Sequence, residues 1–424
     1  MKHQAIIFDL DGTLTDSQEG ILSSARFALE QMRWGIPNEA VMRKFLGPPL
    51  MFSFQEYCGM TEQQAAKAQD IYRDYYWDTG YLQNQVYPGV RQLLHTLKTK
   101  GYYLGVATHK PLKPSVKILE AFNLLQYFDK VAGPEADEDP SKGELVLRAN
   151  PDRLPGLMIG DRATDIKGAQ HAGMDGVAAL YGYGHREEFE ACGTKLYIES
   201  ADDIYKLLNL QKESLPGYFI SFEGNDGSGK STQARLLAKR LEQSGYEVVL
   251  TREPGGTKVG EKIRDILLDR DNNDMDNLTE AMLYAAARAQ HVRQVIKPAL
   301  RQGKLVISDR FVDSSIAYQG AGRGLGLDLV QAINSPAVAG CMPNLTVFLK
   351  LTPQMGLERF AHSREQDRLE LAGEAFHQTV AAAFDEMIAK DKRFLPISSK
   401  GTKQETAQQV FEQVSLRLHE AGLP

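Results

Sequence analysis

Three cysteines in 424 residues, Cys58, Cys192 and Cys341, stand far apart in the chain. That excludes a disulfide framework and leaves no C-x-x-C metal or redox pair. A surplus of positive charge is missing as well, since 49 Lys and Arg face 55 Asp and Glu for a net charge of −6. Nothing here favours the counterion release that drives duplex binding, so no nucleic-acid partner is expected. No apolar run approaches the roughly 20 residues that cross a bilayer, so no membrane partner is expected either. The start runs from Met1 and Lys2 into Ala5-Ile6-Ile7-Phe8 and then acidic residues, with no cleavable apolar leader. A cytoplasmic protein is expected. Internal repeats and low-complexity segments are also lacking.

What is present is the balance of a soluble globular protein, 42% apolar and 25% charged. At roughly 100 to 200 residues per domain the length implies two large domains. Short apolar runs at 5–8, 103–107 and 157–159, then at 218–222, 248–250, 305–307 and 345–349, alternate with amphipathic stretches. Strands spaced by helices give parallel α/β sheets, and two series give two sheets. Residues 16–86 interrupt the first series with helical patterns at 21–32 and 63–76 and no convincing strand, as expected of a helical cap. A polar stretch closing on Pro216-Gly217 marks a linker. The expected organisation is a first domain over 1–212, a linker at 213–217 and a second domain over 218–424.

The second domain opens with an apolar strand ending at Gly224-Asn225-Asp226-Gly227-Ser228-Gly229-Lys230-Ser231-Thr232, followed by an amphipathic helix carrying Ala234, Leu237, Ala238 and Leu241. This is a P-loop in its strand, loop and helix setting. Its glycines let backbone N–H groups turn toward phosphate oxygens at the positive end of the helix. Lys230 would reach the β- and γ-phosphates of ATP, and Ser231 would hold Mg²⁺.

A P-loop does not name its acceptor; the rest of the domain does. Thr251-Arg252-Glu253-Pro254-Gly255-Gly256-Thr257 follows the second strand, Asp309-Arg310-Phe311-Val312-Asp313-Ser314-Ser315-Ile316-Ala317-Tyr318-Gln319-Gly320 follows the third, and residues 280–288 lie between on a helix. Together these resemble bacterial thymidylate kinase over essentially all of 217–424. The resemblance implies a P-loop nucleoside monophosphate kinase fold that transfers the γ-phosphoryl of ATP to dTMP. It implies that Tyr284, where Phe is common in the family, stacks on thymine, and that Arg288, four residues on and so on the same helix face, donates to the base O4. Ser315 and Gln319 are assigned polar contacts around the base. Arg252, Arg264 and Arg310 surround the dTMP phosphate, and Asp226 contacts the sugar 3′-hydroxyl. Asp309, at a strand end, is expected to approach Mg²⁺ through water, to brace Arg310, or both.

The polar stretch His362-Ser363-Arg364-Glu365-Gln366-Asp367-Arg368 suits a lid over the phosphates. The family carries a catalytic arginine either in the P-loop or in the lid. Gly227 takes the P-loop position, so Arg364, with Arg368 as second candidate, is expected to supply the cation beside Lys230 and Arg310.

In the first domain Phe8-Asp9-Leu10-Asp11-Gly12-Thr13-Leu14 ends an apolar strand with two carboxylates two residues apart. This resembles the first motif of haloacid dehalogenase superfamily phosphatases, with a Rossmann-like core. Asp9 is the implied nucleophile and Asp11 the general acid and base. Thr108 and Lys142 are the implied phosphate-binding pair. Asp161 and Asp165, in Gly160-Asp161-Arg162-Ala163-Thr164-Asp165, join Asp9 and Asp11 around Mg²⁺. The substrate is expected to be a small phosphate monoester, with a pyrophosphatase or a non-catalytic module as alternatives. Tyr72, Tyr75, Tyr76 and Trp77 form either a wall for a base or packing. For the second domain the alternatives are another nucleoside monophosphate kinase or a GTPase, the latter lacking its Asn-Lys-x-Asp segment. A homodimer through the kinase-like half is among the partners this reading includes.

Overall fold

A computed structural model of the chain describes residues 3–135, 138–212, 215–351, 368, 369 and 372–423. Two compact units result, one of Met1–Glu213 and Gln243–Gly245, the other of Ser214–Glu242 and Tyr246–Pro424. Of the linker at 213–217, residues 213 and 214 lie outside the described residues.

In the first unit the strands are β1 (Ala5–Phe8), β2 (Thr15–Asp16), β3 (Gln85–Val86), β4 (Tyr103–Ala107), β5 (Lys130–Ala132), β6 (Gly156–Gly160), β7 (Asp175–Ala179) and β8 (Leu196–Ile198). Six of them form a sheet ordered β5-β4-β1-β6-β7-β8, parallel throughout. Alternate residues of each strand enter different layers: Ile6, Phe8, Leu104, Val106, Leu157 and Ile159 join one buried cluster, Ala5, Ile7, Ala107 and Met158 another. Both faces are covered, so the strand sequences read as continuous apolar runs rather than alternating ones.

The cap is helical as expected, and its main helices run Gln18–Gln31, Leu50–Cys58 and Glu62–Asp78. Thr61 and Gln64 close a reciprocal capping box that fixes the start of the last one. The absence of any strand between 16 and 86 is corrected by the antiparallel β2–β3 pair at the base of the cap. At two residues each these strands are too short to show periodicity. The aromatic residues of the cap resolve mainly as packing. Tyr72 and Tyr76 are buried and stacked on one another, while Tyr75 stacks on Phe27 at 4.3 Å.

The second unit carries β9 (Tyr218–Glu223), β10 (Val248–Arg252), β11 (Leu305–Asp309), β12 (Leu345–Lys350) and β13 (Phe394–Ser398). Their order is β10-β11-β9-β12-β13, again all parallel. Ile220, Phe222, Ile307, Val347 and Leu349 pack under the helix Lys230–Gln243 through Ala234, Leu237, Ala238 and Leu241. Phe219 and Val306 face the opposite layer. Each sheet is thus the centre of three layers, and β1 and β9 lie inside their sheets where the strand order reverses. Crevices at the carboxyl ends of such strands are where open α/β sheets bind ligands. Among the described residues no helix is long and apolar enough to cross a membrane.

Candidate functional site

In the first unit Asp9 follows β1, Thr108 follows β4 and Asp161 follows β6, so parallel register brings all three to one edge of the sheet. Carboxylate oxygens of Asp9, Asp161 and Asp165 lie within 4.8 Å of one another. Three hard oxygen donors at this spacing fit a small divalent cation. Lys142 begins a helix, Lys142–Ala149, capped reciprocally by Ser141 and Glu144. Its ammonium stands 2.9 Å from Asp9 and 2.7 Å from Asp165. Burial raises the Asp9 carboxyl to about 6 against the pull of Lys142. Burial and then Asp9 and Asp165 raise Asp161. Burial would lower Lys142, but Asp165 and Asp9 carry it above its usual value.

Gly12 adopts a left-handed φ of +78°, and a Cβ there would overlap the Asp161 carboxylate. The turn after β1 therefore requires glycine. Asp11, grouped by sequence with the metal ligands, is not among the three converging carboxylates. It pairs with Lys110 at 2.9 Å, and Lys110 also donates to the Tyr76 hydroxyl of the cap at 2.9 Å. The Thr108 hydroxyl, buried, accepts from the Lys110 backbone N–H at 3.1 Å.

In the second unit the P-loop turns with left-handed φ at Gly227 and Gly229. Lys230 folds back over the loop, its ammonium donating to the carbonyls of Gly224 and Asn225, both at 2.9 Å. Burial and then the neighbouring Arg310 push it down to about 8. The buried Ser228 hydroxyl and the Asn225 side-chain oxygen have no hydrogen-bond partner among the described residues. Ser231 and Thr232 line a cavity of about 1010 Å³ beside the loop.

The expected acceptor residues converge on that same cavity: Asp226, Arg252, Arg264, Tyr284, Arg288, Arg310, Ser315 and Gln319 all line it. Gly227, Gly229, Lys230 and Asp309 share its wall, whereas Gly224, Asn225 and Ser228 do not line it. Arg310 bonds Ser314 at 3.0 Å, is ion-paired with Asp226, and stands 5.0 Å from the centre of the Tyr318 ring. The carboxylate it pairs with directly is Asp226, while the charge of Asp309 makes a smaller contribution to holding it protonated. Burial alone would raise Asp226, but Arg310 and Lys230 hold it below its ordinary value. Arg252 is exposed and pairs with Glu261 at 2.8 Å, and Arg264 donates to the Pro254 carbonyl. Arg288 is 1% exposed and fixed from behind by Glu253 at 2.8 Å, the Asn334 side chain and the Phe311 carbonyl at 3.3 Å.

Of the lid, Arg364 lies outside the described residues. Arg368 is buried, ion-paired with Glu280, and donates to the Leu267 carbonyl at 3.2 Å. Those contacts tie its guanidinium to the protein interior in this structure.

Several supporting residues escaped the sequence reading. Glu253, inside a quoted motif, accepts from Arg288 and lies 2.9 Å from His291 Nδ1. The Tyr318 hydroxyl donates to Asp226 at 3.0 Å. Glu223, the last residue of β9, is fully buried; it accepts from the Phe311 N–H at 2.8 Å and the Ser314 hydroxyl at 2.6 Å. A carboxylate closing an otherwise apolar strand was the available signal.

Burial, and next the charge of Asp313, raise Glu223 to about 7 from 4.5. Between those values the folded protein holds a proton that the unfolded chain has released, so this group's contribution to stability falls as pH rises through the window. The limit is on the order of 3 kcal/mol. Glu223→Gln, which keeps an acceptor for Phe311, should flatten the dependence: the drop in unfolding midpoint of the second unit between pH 5 and 7.5 becomes smaller than in wild type. An unchanged drop, followed by fluorescence and calorimetry, would assign the pH dependence to other groups.

Comparison with known proteins places each half. Residues 222–410 match the family model for thymidylate kinase, and residues 6–179 match that for haloacid dehalogenase-like hydrolase. The thymidylate kinase of Halothermothrix orenii is 47% identical over 201 residues, covering 47% of this chain and 96% of that protein. That of Lactobacillus acidophilus is 49% identical over 208 residues, covering 48% and 96%. Among solved structures, a predicted phosphatase from Clostridium acetobutylicum is 38% identical, covering 49% of this chain and 99% of that one, with a TM-score of 0.44. A haloacid dehalogenase-like family hydrolase from Streptococcus pneumoniae is 27% identical, covering 49% and 99%, with a TM-score of 0.45. With a P-loop facing an arginine-lined cavity in one unit and a carboxylate cluster bridged by lysine in the other, the chain belongs to the thymidylate kinase family through its C-terminal half and carries a haloacid dehalogenase-like hydrolase as its N-terminal half.

Proposed function

We propose that the second unit transfers the γ-phosphoryl of ATP to dTMP to give dTDP and that the first hydrolyses a small phosphate monoester. The observation carrying the kinase reading is the convergence of P-loop, arginines, Tyr284 and Gln319 on one cavity. The P-loop amides and Lys230 hold the ATP phosphates, and Ser231 would hold Mg²⁺, which when bound would screen their charge. Arg310, Arg252 and Arg264 take the acceptor dianion through their guanidinium forks. Tyr284 stacks on thymine, and Asp226 accepts from the 3′-hydroxyl. The dTMP phosphate oxygen then attacks the γ-phosphorus in line as the bond to ADP breaks. Rates with dTMP, dUMP, dCMP, AMP and GMP test the assignment; preference for any but dTMP would overturn it.

Gly227 leaves the P-loop without an arginine, and Arg368 is occupied by Glu280, so the cation for the transferring phosphoryl falls to Arg364. Arg364→Ala is expected to lower kcat by about 10² or more with little change in the KM for dTMP, because the contact forms chiefly in the transition state. A kcat within a few-fold of wild type in steady-state assays would remove Arg364 from the mechanism.

In the hydrolase, Asp9 attacks phosphorus while the ester bond breaks and Asp11 passes a proton to the leaving oxygen. Asp11 next takes a proton from water, whose oxygen attacks the aspartyl phosphate and frees phosphate and Asp9. Lys142 and Thr108 hold the phosphate oxygens. Mg²⁺ at Asp9, Asp161 and Asp165 would offset the negative charge gathered there.

A further inference from the structure

Glu280 lies one turn before Tyr284 on the helix Asn277–His291, fully buried and behind the cavity rather than in its wall. One carboxylate oxygen accepts from Gln319 Nε2 at 2.9 Å and from Arg323 Nε at 3.3 Å. The other meets Arg323 at 3.2 Å and also Arg368. A carboxylate clasped by two guanidiniums offers acceptors and no donor. Only the NH₂ end of the Gln319 amide can therefore face it, which fixes an orientation that an amide otherwise leaves open. Gln319 sits in a π-helical stretch, Ile316–Gly322, with its side chain in the cavity wall beside Tyr284 and Arg288. Its carbonyl oxygen accepts from no group among the described residues. The wall consequently combines an acceptor at Gln319 with a group at Arg288 that can only donate.

Pyrimidine bases differ at this edge. Thymine and uracil offer an N3–H donor beside the C4 carbonyl acceptor, whereas cytosine offers an N3 acceptor beside a 4-amino donor. We infer that Glu280 is a specificity-determining positioning residue, which by holding the Gln319 amide in one orientation makes the cavity select a base bearing N3–H and reject cytosine. The inference rests on the reading of this cavity as the dTMP site.

The test uses Glu280→Gln in the full chain, with kcat and KM measured for dTMP and dCMP. The new amide keeps its oxygen for Arg323 Nη2 and Arg368, loses the longer contact from Arg323 Nε, and turns its NH₂ toward Gln319, which then flips and presents a donor to the base. A site built around one hydrogen-bond pattern discriminates strongly against its inverse, so the dTMP-to-dCMP ratio of kcat/KM is expected to fall by at least about 10². A purely structural role would depress both substrates alike, and a ratio within about threefold of wild type overturns the inference while leaving the dTMP reading in place. Wild type failing to phosphorylate dTMP would take both down. Should Glu280→Gln not fold, as judged by thermal unfolding, Gln319→Met removes the amide without touching the ion pairs. Collapse of the ratio in that variant supports the inference, and its retention overturns it.

Discussion

Asp9→Asn is expected to lower Mg²⁺-dependent hydrolysis of phosphate monoesters by at least about 10³ while leaving ATP-dependent phosphorylation of dTMP within twofold of wild type. The first effect follows from chemistry, since an amide is a poor nucleophile toward phosphorus and losing a covalent nucleophile removes the whole two-step route. Asp9 also supplies one of the three converging carboxylates and one of the two partners of the buried Lys142 ammonium. The variant therefore loses charge at the cation site as well as its nucleophile, and raising Mg²⁺ should not restore turnover. The second effect follows from placement, because every kinase residue named above lies beyond residue 216 and Asp9 belongs to the other unit. Release of inorganic phosphate from a panel of monoesters, with a coupled ADP assay in parallel, gives both numbers. Residual hydrolysis near wild type would exclude Asp9 as nucleophile.

The same panel bears on how the two activities coexist. A hydrolase that consumed the acceptor of its own kinase would waste ATP, so dTMP is expected to rank among the poorer monoesters. The cap reaches this site: the Tyr76 hydroxyl accepts from the Lys110 ammonium that pairs with Asp11, so the cap touches the proposed general acid and base. Emergence of dTMP as the preferred hydrolase substrate would point instead to an opposed pair under control.

The parts legible in the sequence were those whose signal is local. β1 and β4 are apolar runs and β9 is apolar but for Ser221 and its closing Glu223, because both sheet faces are covered, and the P-loop and the Asp9–Asp11 turn are contiguous motifs. The strands that escaped are different in kind. β5 and β8 are three-residue edge strands, and β7 begins Asp175-Gly176, a dipeptide that reads as a turn. β13 contains Pro396, tolerable at the sheet edge because a missing N–H there leaves no ladder partner unsatisfied. The site divides the same way. Residues that would touch ligand sit in motifs, whereas those that position them are brought together from afar: Asn334 reaches Arg288 across 46 positions and Glu280 reaches Arg368 across 88. A buried glutamate on a helix has no periodic signature of its own, and its role emerges only once its partners are placed.

Lys230→Met is expected to lower kcat for dTMP phosphorylation by about 10² to 10³ and to leave monoester hydrolysis unchanged, the mirror of the Asp9 result. Methionine matches the length of the stem and fills the same space, so the change removes charge and donors more than packing. The ammonium now spends its donors on the Gly224 and Asn225 carbonyls, and bound ATP would exchange these for phosphate oxygens, whose developing charge it stabilises. Because burial and Arg310 push Lys230 down to about 8, free enzyme loses this proton near that pH. kcat/KM for ATP should therefore fall above about pH 8. Saturating ATP brings anionic oxygens to the ammonium and favours its charged form, so the fall in kcat should begin at higher pH than the fall in kcat/KM. In Lys230→Met the limb near pH 8 should vanish from kcat/KM together with most of the rate. A variant that kept both the rate and the limb would show that Lys230 neither contacts the phosphates nor titrates in this range, and the alkaline dependence would have to be sought elsewhere in the cavity.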